Sequence, residues 1–326
     1  MRQHWIGWTG RWPMAEPVAL LAMALEAPVG WPDAVQRRIG HPVGLFAAII
    51  DGCERRWNRP DRSDAARRAS GIACVMILLA LTIGGGLLLQ WMAHLVLGSW
   101  NWIMVALLAM PGMAAGSLHR HVRAVAIPLC MGDLDQARTA VGMIVGRDTA
   151  QLDAAGVARA AIESLAESFC DGVAAPLFWL LIGGLPGLWA YKAINTADSL
   201  IGHKEPRWRA FGWAAARLDD GLNLIPARLA GLLLCLAAGR GWRILWRDAR
   251  RHASPNAGWP EAAMAGALDL SLAGPIAYDG VRHDKDWIGS GRRDLNGQDI
   301  DGALRLYRRA CLLLAALAGG VALAWG

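Results

Sequence analysis

Polar and apolar residues fall in long blocks along this chain rather than in short periods. From Ala69 to His119 there is no Asp, Glu, Lys or Arg. A bilayer core takes about 20 apolar residues per helix. The run therefore predicts two spans, 71–92 and 100–118, with a turn at Gly98-Ser99. A second uncharged run, Gly172 to Tyr191, is interrupted by Gly183-Gly184-Leu185-Pro186-Gly187. Pro and Gly break helices, and at membrane depth a break survives only where protein or a cavity satisfies the freed backbone. This run predicts a kinked span or a re-entrant pair of half-helices. Three further apolar segments follow the same reading: 222–239, with Arg228 inside it and a kink expected at Pro226; 310–326; and the shorter 17–30, which contains Glu26.

The intervening segments are polar. Residues 31–69 hold six Arg between Arg55 and Arg68, 119–171 read as amphipathic helix, and 240–309 carry 12 basic and 9 acidic residues. Alternating β-branched runs and internal repeats are missing. The fold class expected is all-α: a single multi-pass integral membrane domain over 1–326, with broken or re-entrant helices and cytoplasmic polar segments.

Composition agrees. Charged residues make up 18% and hydrophobic residues 55%, against about 25% charged in soluble domains. Tryptophan, which favours membrane–water interfaces, occurs 17 times against 3 Tyr and 4 Phe. The six Cys form no C-x-x-C pair, which argues against zinc and redox motifs. The net charge of +6 is spread along the chain. Its Arg clusters lack interleaved stacking aromatics, so they point to a membrane face and not to nucleic acid.

Some polar residues stand where they are costly. Arg159, Glu163, Glu167 and Asp171 recur every four residues and share one helical face. That face is either solvated, with Arg159 pairing to Glu163, or it presents Glu163, Glu167 and Asp171 to a divalent cation such as Mg²⁺. Lys192, Asn195, Thr196, Asp198 and Ser199 follow the broken run; Lys192 either snorkels or binds phosphate. Arg217, Asp219, Asp220, Asn223 and Arg228 enter the next apolar run, as an Arg–Asp pair or as a metal or nucleotide site. Asn256 lies in a turn before a helix over Glu261–Leu268, and Asp148 or Thr149 is expected to cap the helix after Gly146-Arg147.

Taken in order, these stretches resemble the adenosylcobinamide-phosphate synthase family, CobD/CbiB, of cobalamin biosynthesis. The matching residues are His41-Pro42-Val43, Gly146-Arg147-Asp148, Glu163-Ser164-Leu165-Ala166-Glu167 and Asp171 through Pro176. Tyr191 through Thr196 with Asp198-Ser199, Arg217-Leu218-Asp219-Asp220 with Asn223, and Pro226-Ala227-Arg228 follow. Asn256-Ala257-Gly258 and Gly274-Pro275 with Tyr278 and Gly280 close the series. The pattern covers about residues 20–285. The family's usual Asp-Arg opening is missing, with Glu26 about where an acid is expected; Ser168 replaces an Asn and Ala273 a Gly.

The resemblance implies an integral membrane enzyme, and the basic segments 51–68 and 240–309 predict that it sits in the inner membrane with its site facing the cytosol. It would be an ATP- and Mg²⁺-dependent ligase joining adenosylcobyric acid to (R)-1-aminopropan-2-ol or its O-phosphate. Glu163, Glu167 and Asp171 are then expected on the metal, and Arg147, Lys192 and Arg217 on phosphates. Asp148, Asn195, Asp198, Asn223, Arg228 and Asn256 are expected to contact nucleotide. Asp219 and Asp220 form a second metal cluster or supply the base. A non-catalytic regulator of the same superfamily and a small-molecule transporter are the competing classes.

Overall fold

Most of the chain folds as helices whose breaks fall at particular glycines, prolines and polar turns. The computed structural model describes residues 15–146, 148–278, 281–283 and 286–325. Helix α1 covers Ala15–Val29, α2 Asp33–Ile39 and α3 Pro42–Trp57. Helix α4, Asp64–Leu97, is 34 residues long and is capped by Ser63, whose hydroxyl accepts from the Ala66 amide. At 1.5 Å per residue it is about 50 Å long, more than the hydrocarbon thickness of a bilayer. Its face bearing Met76, Leu81, Leu88, Trp91 and Leu95 is exposed and apolar, as a lipid-facing surface must be.

The expected turn is present: Gly98–Trp100 form one tight helical turn, and α5 (Asn101–Ala109) folds back on α4. The expected second span over 100–118 does not run as one helix. Another tight turn at Met110–Gly112, with Pro111 removing a main-chain donor, ends α5 after nine residues, and α6 begins at Ala115 and runs to Cys130. Helix α7 (Leu134–Gly142) returns along α6. Helix α8 (Ala154–Phe169) is capped by Asp153, whose carboxylate accepts from the Gly156 amide. The cap is therefore not Asp148 or Thr149. Asp148 accepts from the Ala150 amide in its own turn, and the Thr149 hydroxyl donates to the Arg138 carbonyl.

Helix α9 (Ala175–Ile201) contains the expected break, placed at Gly184, whose φ of 61° and ψ of −154° leave the helical region. Such a backbone suits Gly alone among common residues. Helices α10 (Trp213–Leu222) and α11 (Leu224–Ala238) meet at Asn223 with a 46° bend. The bend is at Asn223 and not at Pro226, because Pro226 sits in the first turn of α11, where it costs no helical hydrogen bond. Helices α12 (Trp242–Asp248), α13 (Gly258–Leu268) and α14 (Gly297–Trp325) complete the chain, so the apolar segment 310–326 is the second half of a longer helix. Two short antiparallel ladders, β1 (Leu272–Ala273) with β4 (Trp287–Ile288) and β2 (Ile276–Tyr278) with β3 (Val281–His283), lie between α13 and α14.

By length and composition, two helical stretches, Asp64–Cys130 with its turns and Ala154–Ile201 with its break, are apolar enough to cross a membrane, and the bent α10–α11 pair makes a third if it counts as one span. Helix α8 is central and alanine-rich. Ala158, Ala161 and Ala166 are fully buried and let α6, α13 and α14 approach closely.

Two carboxylates tie distant segments together. Glu26 of α1 is buried and accepts from the Gly116 and Ser117 amides at 2.8 and 3.3 Å. It thereby caps α6 from another helix, where free N–H groups and the dipole favour an anion. Gly116 is needed because a Cβ there would overlap the Ala27 carbonyl. Glu26→Ala is expected to lose about 1–3 kcal/mol, since two buried donors lose their acceptor. Unchanged unfolding in detergent would reject that capping role. Glu54 of α3 holds the segment before α10 by accepting from Arg207 Nε and Nη2 at 3.0 and 3.1 Å. Burial works to raise its pKa, but the bonds from Arg207 and Asn58 outweigh burial and hold the carboxyl below its ordinary range.

Candidate active site

At the junction of α8 and α9 the helix widens into a π turn, Cys170–Ala174. Such turns free a carbonyl for other donors and recur at functional sites. The Asp171 carbonyl lies 3.4 Å from Lys192 Nζ and 3.4 Å from the Tyr191 hydroxyl. Its side chain is held by Asn195, whose Nδ2 donates to Asp171 Oδ2 at 3.2 Å and to Asp219 Oδ1 at 3.3 Å. Asn223, at the α10–α11 elbow, donates to Asp219 Oδ2 at 3.1 Å and accepts from the Tyr191 hydroxyl at 3.0 Å. Lys192 Nζ also lies 3.4 Å from Asn195 Oδ1. One network therefore fixes Asp171 and Asp219 from three separate elements.

This network borders a cavity of about 320 Å³. Among the described residues, five carboxylates line it, from Glu167, Asp171, Asp198, Asp219 and Asp220, with Lys204, Arg217 and His252 as the basic groups. Arg217 pairs with Asp220 at 2.9 Å. The loop before α13 forms one wall. There the Ser254 hydroxyl accepts from the Asn256 and Ala257 amides, and Asn256 Nδ2 donates to the Asp220 carbonyl at 2.8 Å. Arg228 donates to Asn256 Oδ1 at 3.1 Å and lies over the Trp259 ring at 4.7 Å.

The structure thus brings together Glu167, Asp171, Lys192, Asn195, Asp198, Arg217, Asp219, Asp220, Asn223, Arg228 and Asn256. Glu163 is not among the residues lining the cavity. One turn back on α8, its Oε1 accepts from the Ala273 amide at 2.7 Å and anchors the first ladder. Ala273 has a φ of 55°, a conformation that Gly adopts more readily than Ala. Asp148 is exposed in its own turn. Arg147 and Gly280 lie outside the described residues. Among the described residues, no three His, Cys, Asp or Glu groups converge closely enough to hold a metal ion by themselves. Lys204, His252, Ser254 and Tyr191 are additions from the structure. The one available signal was the scarcity of lysine: of three in the chain, Lys192 and Lys204 are both here.

His41 reaches the same region from α3. It caps that helix by accepting from the Val43 amide through Nδ1 at 3.2 Å, and its ring meets Trp31 edge-on at 5.3 Å. Burial first, then the Lys192 ammonium, push its pKa below the ordinary histidine value. The unfolded chain therefore takes this proton more readily than the folded one. The stability gained from a neutral cap is complete above the unfolded pKa of about 6.5 and is lost as pH falls through the folded value. His41→Asn keeps a capping oxygen without titrating. It is expected to flatten the fall of Tm with acidification through that window, and an unaltered pH profile would reject this assignment.

A largely helical protein with membrane-length helices and an acidic cavity beside a π turn and a broken helix is a membrane-type helical protein with a binding or catalytic site. The model of the CobD/Cbib protein family matches residues 19–307, and the chain belongs to that family. A cobalamin biosynthesis protein CobD of Rhodobacter capsulatus is 47% identical over 311 residues, 94% of this chain and 97% of that one. Proteins of the same name from a Sinorhizobium species and from Rhizobium meliloti are 45% and 42% identical, covering 95% and 91% of this chain and 100% and 94% of their own. No solved structure matches.

Proposed function

We propose that the chain acts in cobalamin biosynthesis as an ATP-dependent ligase, joining a propionate carboxyl of adenosylcobyric acid to (R)-1-aminopropan-2-ol or its O-phosphate. The observation that carries this reading is the set of five carboxylates around one cavity, with Lys204 and Arg217 on its wall and Lys192 behind it. A carboxylate resists attack by an amine until one of its oxygens becomes a leaving group. Phosphoryl transfer from ATP supplies that group, and attack by the amine then releases phosphate and forms the amide. Cations must meet the phosphate oxygens, and a base must take the ammonium proton.

The donor set fits Mg²⁺: hard carboxylate oxygens, with no ready-made three-acid cage, suit an ion that takes one or two carboxylates plus phosphate oxygens. Glu167, Asp171 and Asp219 are the candidate ligands. Bound there, the ion would neutralise phosphate charge. Lys192, Lys204 and Arg217 would hold the phosphates. Asp198 and Asp220, at the cavity wall, are the candidates for accepting the amine proton. Arg228 and Asn256 would shape the nucleotide side of the cavity. The reading places the protein in the inner membrane, with the Arg-rich turn between α3 and α4 and the cavity on the cytosolic side, where ATP is available.

The test is reconstitution of the full chain with adenosylcobyric acid, each amine and ATP–Mg²⁺, followed by mass of the corrinoid product. A product heavier by one amine minus water, formed only with ATP, is expected. Corrinoid binding with no such product under any nucleotide would reject the ligase reading.

A further inference from the structure

A second cavity, of about 590 Å³, lies between α1, α6 and α14, well within the size range of small-ligand sites. Its two ends differ in chemistry. Tyr307 donates to the Ala115 carbonyl at 2.8 Å, and Gly30 packs under the Arg120 guanidinium. These contacts bring the end of α1, the start of α6 and the middle of α14 to one level, where His119, Arg120 and Arg308 line the groove. At the other end Leu20 approaches Gly319, and the lining is Met23, Leu312 and Ala315. Leu312 is 72% exposed, so this apolar end opens outward.

The cations sit at a defined depth. Arg120 is the first charged residue after the uncharged run 69–119, and Arg308 lies just before the uncharged run 310–326. Both therefore mark the polar edge of an apolar stretch, which is where lipid headgroups lie. Arg308, Arg123 and Arg120 are all within electrostatic reach of His119. No Asp or Glu lines the groove among the described residues, and the nearby Glu26 is engaged by α6 amides. A concentration of positive charge over an apolar channel is complementary to an anionic amphiphile, and a bilayer meeting the exposed apolar face of α14, where Leu312 and Leu317 lie, would supply one.

We propose that this groove binds one anionic phospholipid, with its phosphate against Arg308 and Arg120 and an acyl chain along Met23, Leu312 and Leu20. The site is independent of the ligase reading and needs only the membrane setting of the fold.

Native mass spectrometry of the full chain in detergent tests this, with phosphatidylglycerol and phosphatidylcholine of identical acyl chains as probes. One retained phosphatidylglycerol per chain, bound more tightly than phosphatidylcholine, is expected. Arg308→Gln should weaken it about fivefold, the effect of one cation near a lipid surface. Arg309→Gln makes the same charge change on an exposed residue outside the groove and should leave binding unchanged. Ala315→Trp, which fills the apolar end, should remove the lipid while phosphate access to Arg308 remains. Equal retention of the two lipids would overturn the proposal, as would equal losses in the Arg308 and Arg309 variants. Displacement of the lipid by inorganic phosphate alone would reduce the groove to an anion site and also overturn it. A dimer that Ala315→Trp dissociates, with no lipid bound to either form, would assign the groove to a second copy instead.

Discussion

Asp219→Asn is expected to lower product formation by about 10²–10³-fold, the usual loss when one preorganised electrostatic contact is removed. Both Asp219 oxygens already accept from amides, Asn195 on one side and Asn223 on the other. The side chain is buried, so its orientation is set before any ligand arrives. An Asn there keeps the shape but turns an NH₂ toward one of those amide donors. A stability loss of about 1–3 kcal/mol accompanies the change. Thermal unfolding separates that loss from the kinetic one. Glu167→Gln, on the cavity wall, should behave similarly in the assay. Glu163→Gln should not, because its amide oxygen can still accept from the Ala273 amide. Near-normal turnover in Asp219→Asn, or collapse of activity in Glu163→Gln with Glu167→Gln intact, would reverse the assignment.

That contrast shows where sequence reasoning reached and where it stopped. A four-residue period puts Glu163, Glu167 and Asp171 on one helical face, and it does so correctly up to Phe169. It carries no information about the π turn at Cys170–Ala174, which adds a residue to the turn and re-aims Asp171 toward Lys192 and Asn195. The same period cannot tell which end of the face meets the cavity and which meets a main-chain amide. Helix breaks were more legible. Gly98 and Gly184 each stop or bend a helix because a side chain is missing, and both were read as breaks; Pro111, which ends α5 inside the expected 100–118 span, was not. The Asn223 elbow was not legible, because the nearer signal was Pro226, and a proline in a first helical turn does not kink it. Lys204 and His252 were missed for a different reason. They come from connecting segments, and only tertiary packing through the Glu54–Arg207 pair and the Ser254 turn brings those segments to the cavity. The lipid-facing surface was legible as charge-free length alone, since bilayer contact demands composition and not spacing.

Lys192→Met is expected to raise the ATP requirement far more than the corrinoid requirement, with kcat/KM for ATP falling about 10²-fold. Lys192 occupies the polar side of α9 just beyond its break, with Nζ within reach of the Asp171 carbonyl and Asn195 Oδ1. Among the described residues, it is the cation that touches the Asp171–Asn195–Asp219 network. Met matches its length and its apolar stem, so packing is preserved and the charge alone is removed. Among the described residues, the five cavity carboxylates would then be balanced by Lys204, Arg217 and His252, which disfavours any approaching phosphate. Lys192→Arg restores charge but brings a wider, planar group to a point-charge site, and partial recovery is expected. Steady-state kinetics with ATP and corrinoid varied separately read the difference. If Lys192 merely carries its ammonium to the edge of the apolar layer, Lys192→Gln will keep both KM values, and the phosphate role passes to Lys204 and Arg217.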